Sequence, residues 1–325
     1  MSLGVLDRVR AAAQEVAARA KYVRIDESSI PAYVASLPIE QASSPKLDPR
    51  HHYLGDPREI VAYILTLDAI NFGSGYFPYL QKRPRLSGYF TIATCLKERF
   101  EMHGAFKARE LCRLTPEDCA DIFEQNLTKE PIRELMGLFA SALNELGRHL
   151  IDRYEGDFVG LVNAAESSAE RLVELLAKMP YFQDIQKYNA TEAPLEVPFY
   201  KRAQLTAADL SIALGNQSFG FFNDLPRLTI FADNLIPHVL RVDNVLQYEQ
   251  SLAAKIDAEE LIGAGTEEEI EIRACTIHAA ELIVAQLRRL EHKVSALKLD
   301  YFLWNRGQQP EYKSRPRHRT RTIFY

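Results

Sequence analysis

The residues able to do chemistry are scattered along this chain, one or two to a segment. The segment LKLDYFLWNRG, residues 297–307, sets Asp300 among Leu299, Tyr301, Phe302, Leu303 and Trp304, the only tryptophan. A carboxylate buried there without a partner is costly. Asp300 is therefore expected either on the polar face of an amphipathic helix or at work, as a catalytic carboxylate beside aromatic platforms that stack on a flat ring. In RLTIFADNLIPHVLR, residues 227–241, Asp233 stands directly behind an apolar run. It reads either as the N-cap of a following helix or as a partly buried carboxylate with a raised pKa and a catalytic or base-reading use. In FYKRAQLTAADL, residues 199–210, two cations open a run of helical spacing, although the macrodipole disfavours cations at a helix N-terminus. Either Lys201 and Arg202 are solvated, or the Lys201 ammonium joins the free N–H groups of the helix start to hold a phosphate. Arg202 is expected to turn outward or to brace an acid.

Two further stretches add contact residues. HHYLGDP, residues 51–57, offers a histidine doublet. It is either an exposed loop or a ligand contact through His52; no metal is expected, because neither i, i+4 spacing nor a third ligand accompanies the pair. LDAINFGSGYFP, residues 67–78, places Asn71 and Phe72 at a helix end. They either make the turn or face a cleft, and Gly-Ser-Gly alone is a weak phosphate signal outside a Walker or Rossmann context. Two aspartates, a lysine, an asparagine and several aromatics suit a flat, phosphate-bearing ligand such as a nucleotide. No G-x-S-x-G motif or active-site cysteine motif points to a nucleophilic triad. The four cysteines form no C-x-x-C pair and are expected as reduced, buried thiols.

The elements that must position these residues are mostly helices. Helical spacing is read over 4–19, 56–70, 87–100, 115–125, 129–153, 157–178, 199–214, 233–248 and 266–292. Asp56 with Pro57 and Thr115 with Pro116 are helix starts, and Thr266 with Glu269 has capping-box spacing. Short strands are expected only in TEAPLEVPFY, residues 191–200, and in the closing RTIFY. The absence of β-α-β alternation excludes a Rossmann sheet. The fold class is mainly α, in a single domain over 1–325, with two lobes around a cleft as its open variant. The 325 residues are 47% hydrophobic and 26% charged, which allows a sizeable core. A net charge of -5 argues against gripping a nucleic-acid backbone, and the basic RPRHRTR near the end reads as a solvated loop. No run reaches the roughly 18 apolar residues of a membrane span, and the N-terminus reads as a charged amphipathic helix rather than a signal peptide. A cytoplasmic protein is expected.

DAINFGSGY, VPFYKRAQLTAADL, LTIFADNLIPHVL, EIEIRACTIHAAELI, LDYFLWNRG and RTRTIFY together resemble, in order, the queuosine salvage family of queuosine 5'-phosphate N-glycosylase/hydrolases. The resemblance implies a fold like that of helical DNA glycosylases. It implies release of queuine, a 7-deazaguanine base, from queuosine 5'-monophosphate, leaving ribose 5-phosphate, in queuine salvage for tRNA modification. It carries residue roles with it. Asp300 would be the nucleophile or oxocarbenium stabiliser. Phe231, Ala232 and Asp233 would line the base pocket, with Asp233 reading the guanine-like edge. Tyr301 and Asn305 would contact the base, His52 or its neighbour His51 the ligand, and Lys201 the 5'-phosphate. The position of Asn305 also admits Asp in relatives, so a base contact there is neutral here. No cofactor, metal, membrane or stable nucleic-acid partner is implied. The competing readings are a glycosylase acting on tRNA or DNA and a non-catalytic protein that binds queuine.

Overall fold

Thr266 begins the longest apolar pattern of the chain, and its side chain accepts the Glu269 N–H at the start of helix Glu267–Arg289. Acids fill the first turn and bases the last, matching the macrodipole. The Glu269 carboxylate accepts the Gly265 N–H, and the Thr266 N–H donates to the Gly263 carbonyl. The helix is buried on nearly every side, from Ile270 through Leu287, as expected of a central core helix.

The computed structural model describes residues 3–39, 44–189 and 194–325. Among them are fifteen α-helices and four strands of three or four residues, a mainly helical protein. The chain divides into two compact units, each assembled from separated segments. The first comprises residues 1–45, 184–201 and 226–321. Here Glu267–Arg289 packs against helices Val5–Arg19, Ile30–Ser36 and Ala296–Arg306. The buried Glu271 carboxylate on it accepts the N–H groups of Lys21, Tyr22 and Val23 and the Tyr188 hydroxyl, fixing the turn after the first helix. Strand Val23–Ile25 pairs antiparallel with Leu246–Tyr248, and Ile185–Tyr188 pairs antiparallel with Leu195–Pro198.

The second unit comprises residues 46–183, 202–225 and 322–325. Helix Glu130–Tyr154 is its axis, packed by Pro57–Ala69, Ala108–Leu111, Pro116–Ile122 and Phe158–Asn163. The Asp56 cap accepts from Arg58, and Thr115 and Asp118 close a full capping box. Gly73, at φ +102°, makes the turn after Pro57–Ala69 in a conformation that favours glycine, and its N–H donates to the Tyr325 carbonyl at 3.0 Å.

Four expectations change. The helix read over 157–178 is two helices, Phe158–Asn163 and Ala169–Leu176, because Glu166 and Ser167 take positive φ and the Asp224 carboxylate accepts the first N–H groups of the second. The helix read over 233–248 is confined to Ile236–Val242; Asn244 reverses the chain at φ +59° and the sequel is a strand. RTIFY forms no strand, although Leu195–Pro198 does within the other expected segment, of which residues 191–193 lie outside the described ones. The basic tail is not simply solvated: His318 and Thr320 are buried, and Arg319 bridges to Leu261.

Arg202 turns inward rather than outward. Only 1% exposed, it donates to the carbonyls of Asp68 and Ala69 at the end of Pro57–Ala69, and to those of Tyr181 and Ile323. Phe72 and Phe182 flank its guanidinium at 4.9 and 4.7 Å. A cation at a helix C-terminus satisfies the last carbonyls and the negative end of the dipole. Hydrogen bonds to a buried charge contribute about 1.5–3 kcal/mol each. Arg202→Met should therefore lower unfolding free energy in urea by at least about 3 kcal/mol, and Arg202→Lys, which keeps the charge but loses the planar fork, by less.

Candidate active site

Ser295 accepts the Lys298 N–H and starts helix Ala296–Arg306. Ala296, Leu299, Asp300 and Leu303 form its buried stripe, the i, i+3, i+4, i+7 spacing of a core-facing helix. The core therefore takes Asp300 in with its apolar neighbours, leaving it 7% exposed. Its Oδ1 accepts the Phe231 N–H at 2.8 Å. Burial pushes its pKa from 3.8 up to about 8; the Phe231 N–H works against this, the neighbouring Asp233 adds to it, and Lys201 opposes it. A second acid and a cation thus each lie within electrostatic range of the Asp300 carboxyl in the first unit.

The partners reach this place by local devices. Asp233 follows Phe231 and Ala232, both buried, and its Oδ1 accepts from Leu235 at 2.7 Å and from Ile236 at 3.3 Å. It thereby serves the entry to helix Ile236–Val242 from outside the formal N-cap, which is Leu235. Lys201 is the first residue of helix Lys201–Ala213 and is 6% exposed. Tyr200, at φ +49°, turns the chain immediately before it, and the Lys201 N–H meets Asp184 Oδ2 at 3.3 Å.

On the same helix as Asp300, Trp304 lies one turn on, and Tyr301 and Asn305 form a neighbouring stripe. Tyr301 and Trp304 are half-buried, whereas Asn305 is exposed and its amide donates to the Tyr301 carbonyl at 2.9 Å. His52, Asn71 and Phe72 belong to the second unit. His52 is buried; its Nδ1 faces the Asp48 carbonyl at 3.0 Å and its Nε2 the Tyr89 hydroxyl at 2.9 Å. A carbonyl only accepts, so Nδ1 carries the proton and Nε2 accepts from Tyr89. Burial holds the His52 pKa below its ordinary value, favouring this neutral form. His51 instead pairs its Nδ1 with Thr94 Oγ1 at 2.9 Å. The Asn71 amide donates to Asp68 Oδ1 at 3.3 Å. Phe72 packs edge-on against Phe139 with ring centroids 5.2 Å apart.

Three charged residues near the Asp300 group lie outside the expected site set. Arg317 lies within electrostatic range of Asp233, in the tail taken for solvated loop. Asp184 and Arg273 form a buried ion pair at 2.6 Å. Arg273 had a signal: a cation inside the apolar stretch IEIRACTI. Asp184, in YFQDIQKY, had none. The four cysteines are free; burial raises the thiol pKa of Cys95 to about 11 and of Cys119 to about 12, so these two are not activated nucleophiles. Among the described residues, no three His, Cys, Asp or Glu side chains gather as a metal site, and no helix is long and apolar enough to cross a membrane.

Comparison with known proteins agrees with the sequence motifs. Residues 51–325 match the family described as queuosine salvage protein. A Sphaerobacter thermophilus protein named queuosine 5'-phosphate N-glycosylase/hydrolase is 35% identical over 99% of this chain and 98% of its own. Proteins of the same name from Dictyostelium discoideum, 33% identical over 81% of this chain and 77% of theirs, and from Mus musculus, 28% identical over 93% and 91%, are similar as well. With the match spanning most of its length, the chain belongs to the queuosine salvage protein family.

Proposed function

We propose that the chain hydrolyses the N-glycosidic bond of queuosine 5'-monophosphate, so that water and the nucleotide give queuine and ribose 5-phosphate. The observation that carries the reading is the buried Asp300 carboxyl, held by the Phe231 N–H with Asp233 and Lys201 in electrostatic range. Membership of the family and the name shared by the similar proteins support the substrate.

Cleavage of the bond builds positive charge on the sugar. A fixed carboxylate in a dry site stabilises that charge far better than one in water, or attacks it to form a glycosyl-enzyme. A 7-deaza base has carbon where a purine has N7, so the usual protonation there is closed, and the sugar side bears more of the barrier. Asp300 answers that need. Asp233, beside the buried Phe231 and Ala232, reads the guanine-like edge, whose two donors fit one carboxylate. Tyr301, Trp304 and Asn305 complete the base side. The Lys201 ammonium meets the 5'-phosphate, and that remote binding orients the ribose. A free nucleotide rather than a polynucleotide fits the net charge of -5, and a cytoplasmic enzyme fits the free thiols.

Chromatography of free queuine after incubation with queuosine 5'-monophosphate tests the reading. Release is expected, with Asp300→Asn slower by on the order of 10³. Release from queuosine-containing tRNA alone would instead make the protein a polymer glycosylase, and silence from both substrates would make it a carrier. Lys201→Met should reduce kcat/KM roughly 10- to 150-fold on the nucleotide, the worth of one charge-assisted hydrogen bond, and leave the nucleoside almost unaffected.

The carboxylate must be ionised to meet a cationic sugar, and its pKa lies at about 8 in the free protein. The kcat/KM profile should therefore rise with pH and level off above that value. Stability should move the other way. The folded pKa lies above the unfolded one, so the contribution of neutral Asp300 is complete below pH 3.8 and is lost as pH rises through about 8. Denaturation of Asp300→Asn across this window should show a correspondingly flatter pH dependence than the wild type.

A further inference from the structure

Asp184 and Arg273 take no part in the chemistry above, yet they join the backbone positions on which it depends. Arg273 projects from the central helix Glu267–Arg289 and is fully buried. Its guanidinium lies over the Phe199 ring, 3.9 Å from the centroid. Nη1 and Nη2 donate to Asp184 Oδ1 and Oδ2 at 3.0 and 2.6 Å, and Nε donates to the Ala232 carbonyl at 3.0 Å. Glu269, one turn back, stands 3.5 Å from Nη1. Asp184 Oδ2 also accepts the Lys201 N–H at 3.3 Å, and the Asp184 carbonyl accepts from Phe199 at 2.8 Å. One edge of the guanidinium thus grips the loop whose Phe231 N–H holds Asp300. The other edge, through Asp184, grips the chain where it turns into Lys201.

A buried ion pair is weak grounds for stability, since desolvation offsets most of its attraction. Here Arg273 Nε donates to the Ala232 carbonyl and Asp184 accepts the Lys201 N–H, backbone groups beside two functional side chains, and a planar fork with rigid donor angles transmits position as well as charge. We propose that the Arg273–Asp184 pair is a positioning element that sets Lys201 and the Phe231–Asp233 loop at the spacing of one nucleotide, so that carboxylate and cation address the same substrate. This rests on the hydrolase reading above.

The test is Arg273→Lys, which keeps the charge but cannot reach Asp184 and the Ala232 carbonyl with the same fork. Folding is checked by circular dichroism, and Asp184→Asn loosens the pair from its other end should the lysine variant not fold. Two quantities are measured: kcat and KM with queuosine 5'-monophosphate, and the titration midpoint of the Asp300 carboxyl carbon by NMR, assigned with Asp300→Asn. The expected result is a kcat loss of about 10²-fold, the scale of an ångström of misplacement, with KM little changed. The Asp300 midpoint should rise as the Phe231 N–H is released, still facing Asp233 and Lys201. An unmoved midpoint, with activity falling only in proportion to folded protein, would overturn the proposal. If wild-type protein releases no queuine, the hydrolase reading fails, while the midpoint alone still decides whether the pair positions the loop.

Discussion

Keeping the Asp300 carboxyl out of water is the constraint around which the first unit is built. An ionised carboxylate there needs charge and hydrogen bonds to replace its hydration, and the groups around Asp300 act in both directions. Burial and Asp233 push towards the neutral form, whereas the Phe231 N–H and Lys201 pull towards the ion. Two of the four influences come from a single loop, which must therefore be held rigidly. The loop is tied from behind by Arg273 and leads directly into the turn that Asp233 caps. The apolar run before Asp233 and the apolar stripe around Asp300 are both buried, and the Phe231 N–H joins them.

Two fully buried arginines use similar physics for different ends. Arg202 gives its donors to backbone carbonyls and sits between Phe72 and Phe182, so it organises chain ends in the second unit. Arg273 gives its donors to a carboxylate and one carbonyl and sits on Phe199, so it organises the neighbourhood of Lys201 and Ala232 in the first. In both, an aromatic face and fixed acceptors replace the water that a buried guanidinium loses. Lys201 and Arg202 are adjacent in the chain but fall in different units. The pair of cations at a helix start is thus two separate solutions, one ammonium in the field of Asp300 and one guanidinium over carbonyls.

Helix existence was legible because it depends on local chemistry. Asp56, Thr115 and Thr266 accept N–H groups within their own first turn, and the apolar stripes of Val5–Arg19 and Glu130–Tyr154 face the core as their spacing requires. The failures share a cause. The breaks at Glu166 and Ser167 and at Asn244 depend on positive φ at non-glycine residues, and the restart at Ser168 is completed by Asp224, fifty-six residues away. RTIFY has the composition of a strand but does not form one. The burial of His318 and Thr320 in a basic tail likewise depends on what the tail packs against.

The site divides along the same line. Residue type and order alone determined that Asp300 would be costly if buried, that Asp233 follows an apolar run, that a lysine begins a helix, and that long motifs mark the queuosine salvage family. Only the tertiary structure decided that Asp300 turns inward onto the Phe231 N–H, that Asp233 and Lys201 come within its field, and that Asp184 and Arg273 brace them. The physical reason is distance. Capping and amphipathic patterning act over three or four residues, whereas the field at a carboxyl sums over groups that are close in space and remote in sequence. Residues 184, 201, 231, 273 and 300 meet only once the core has formed, and no local pattern encodes which of them will be neighbours.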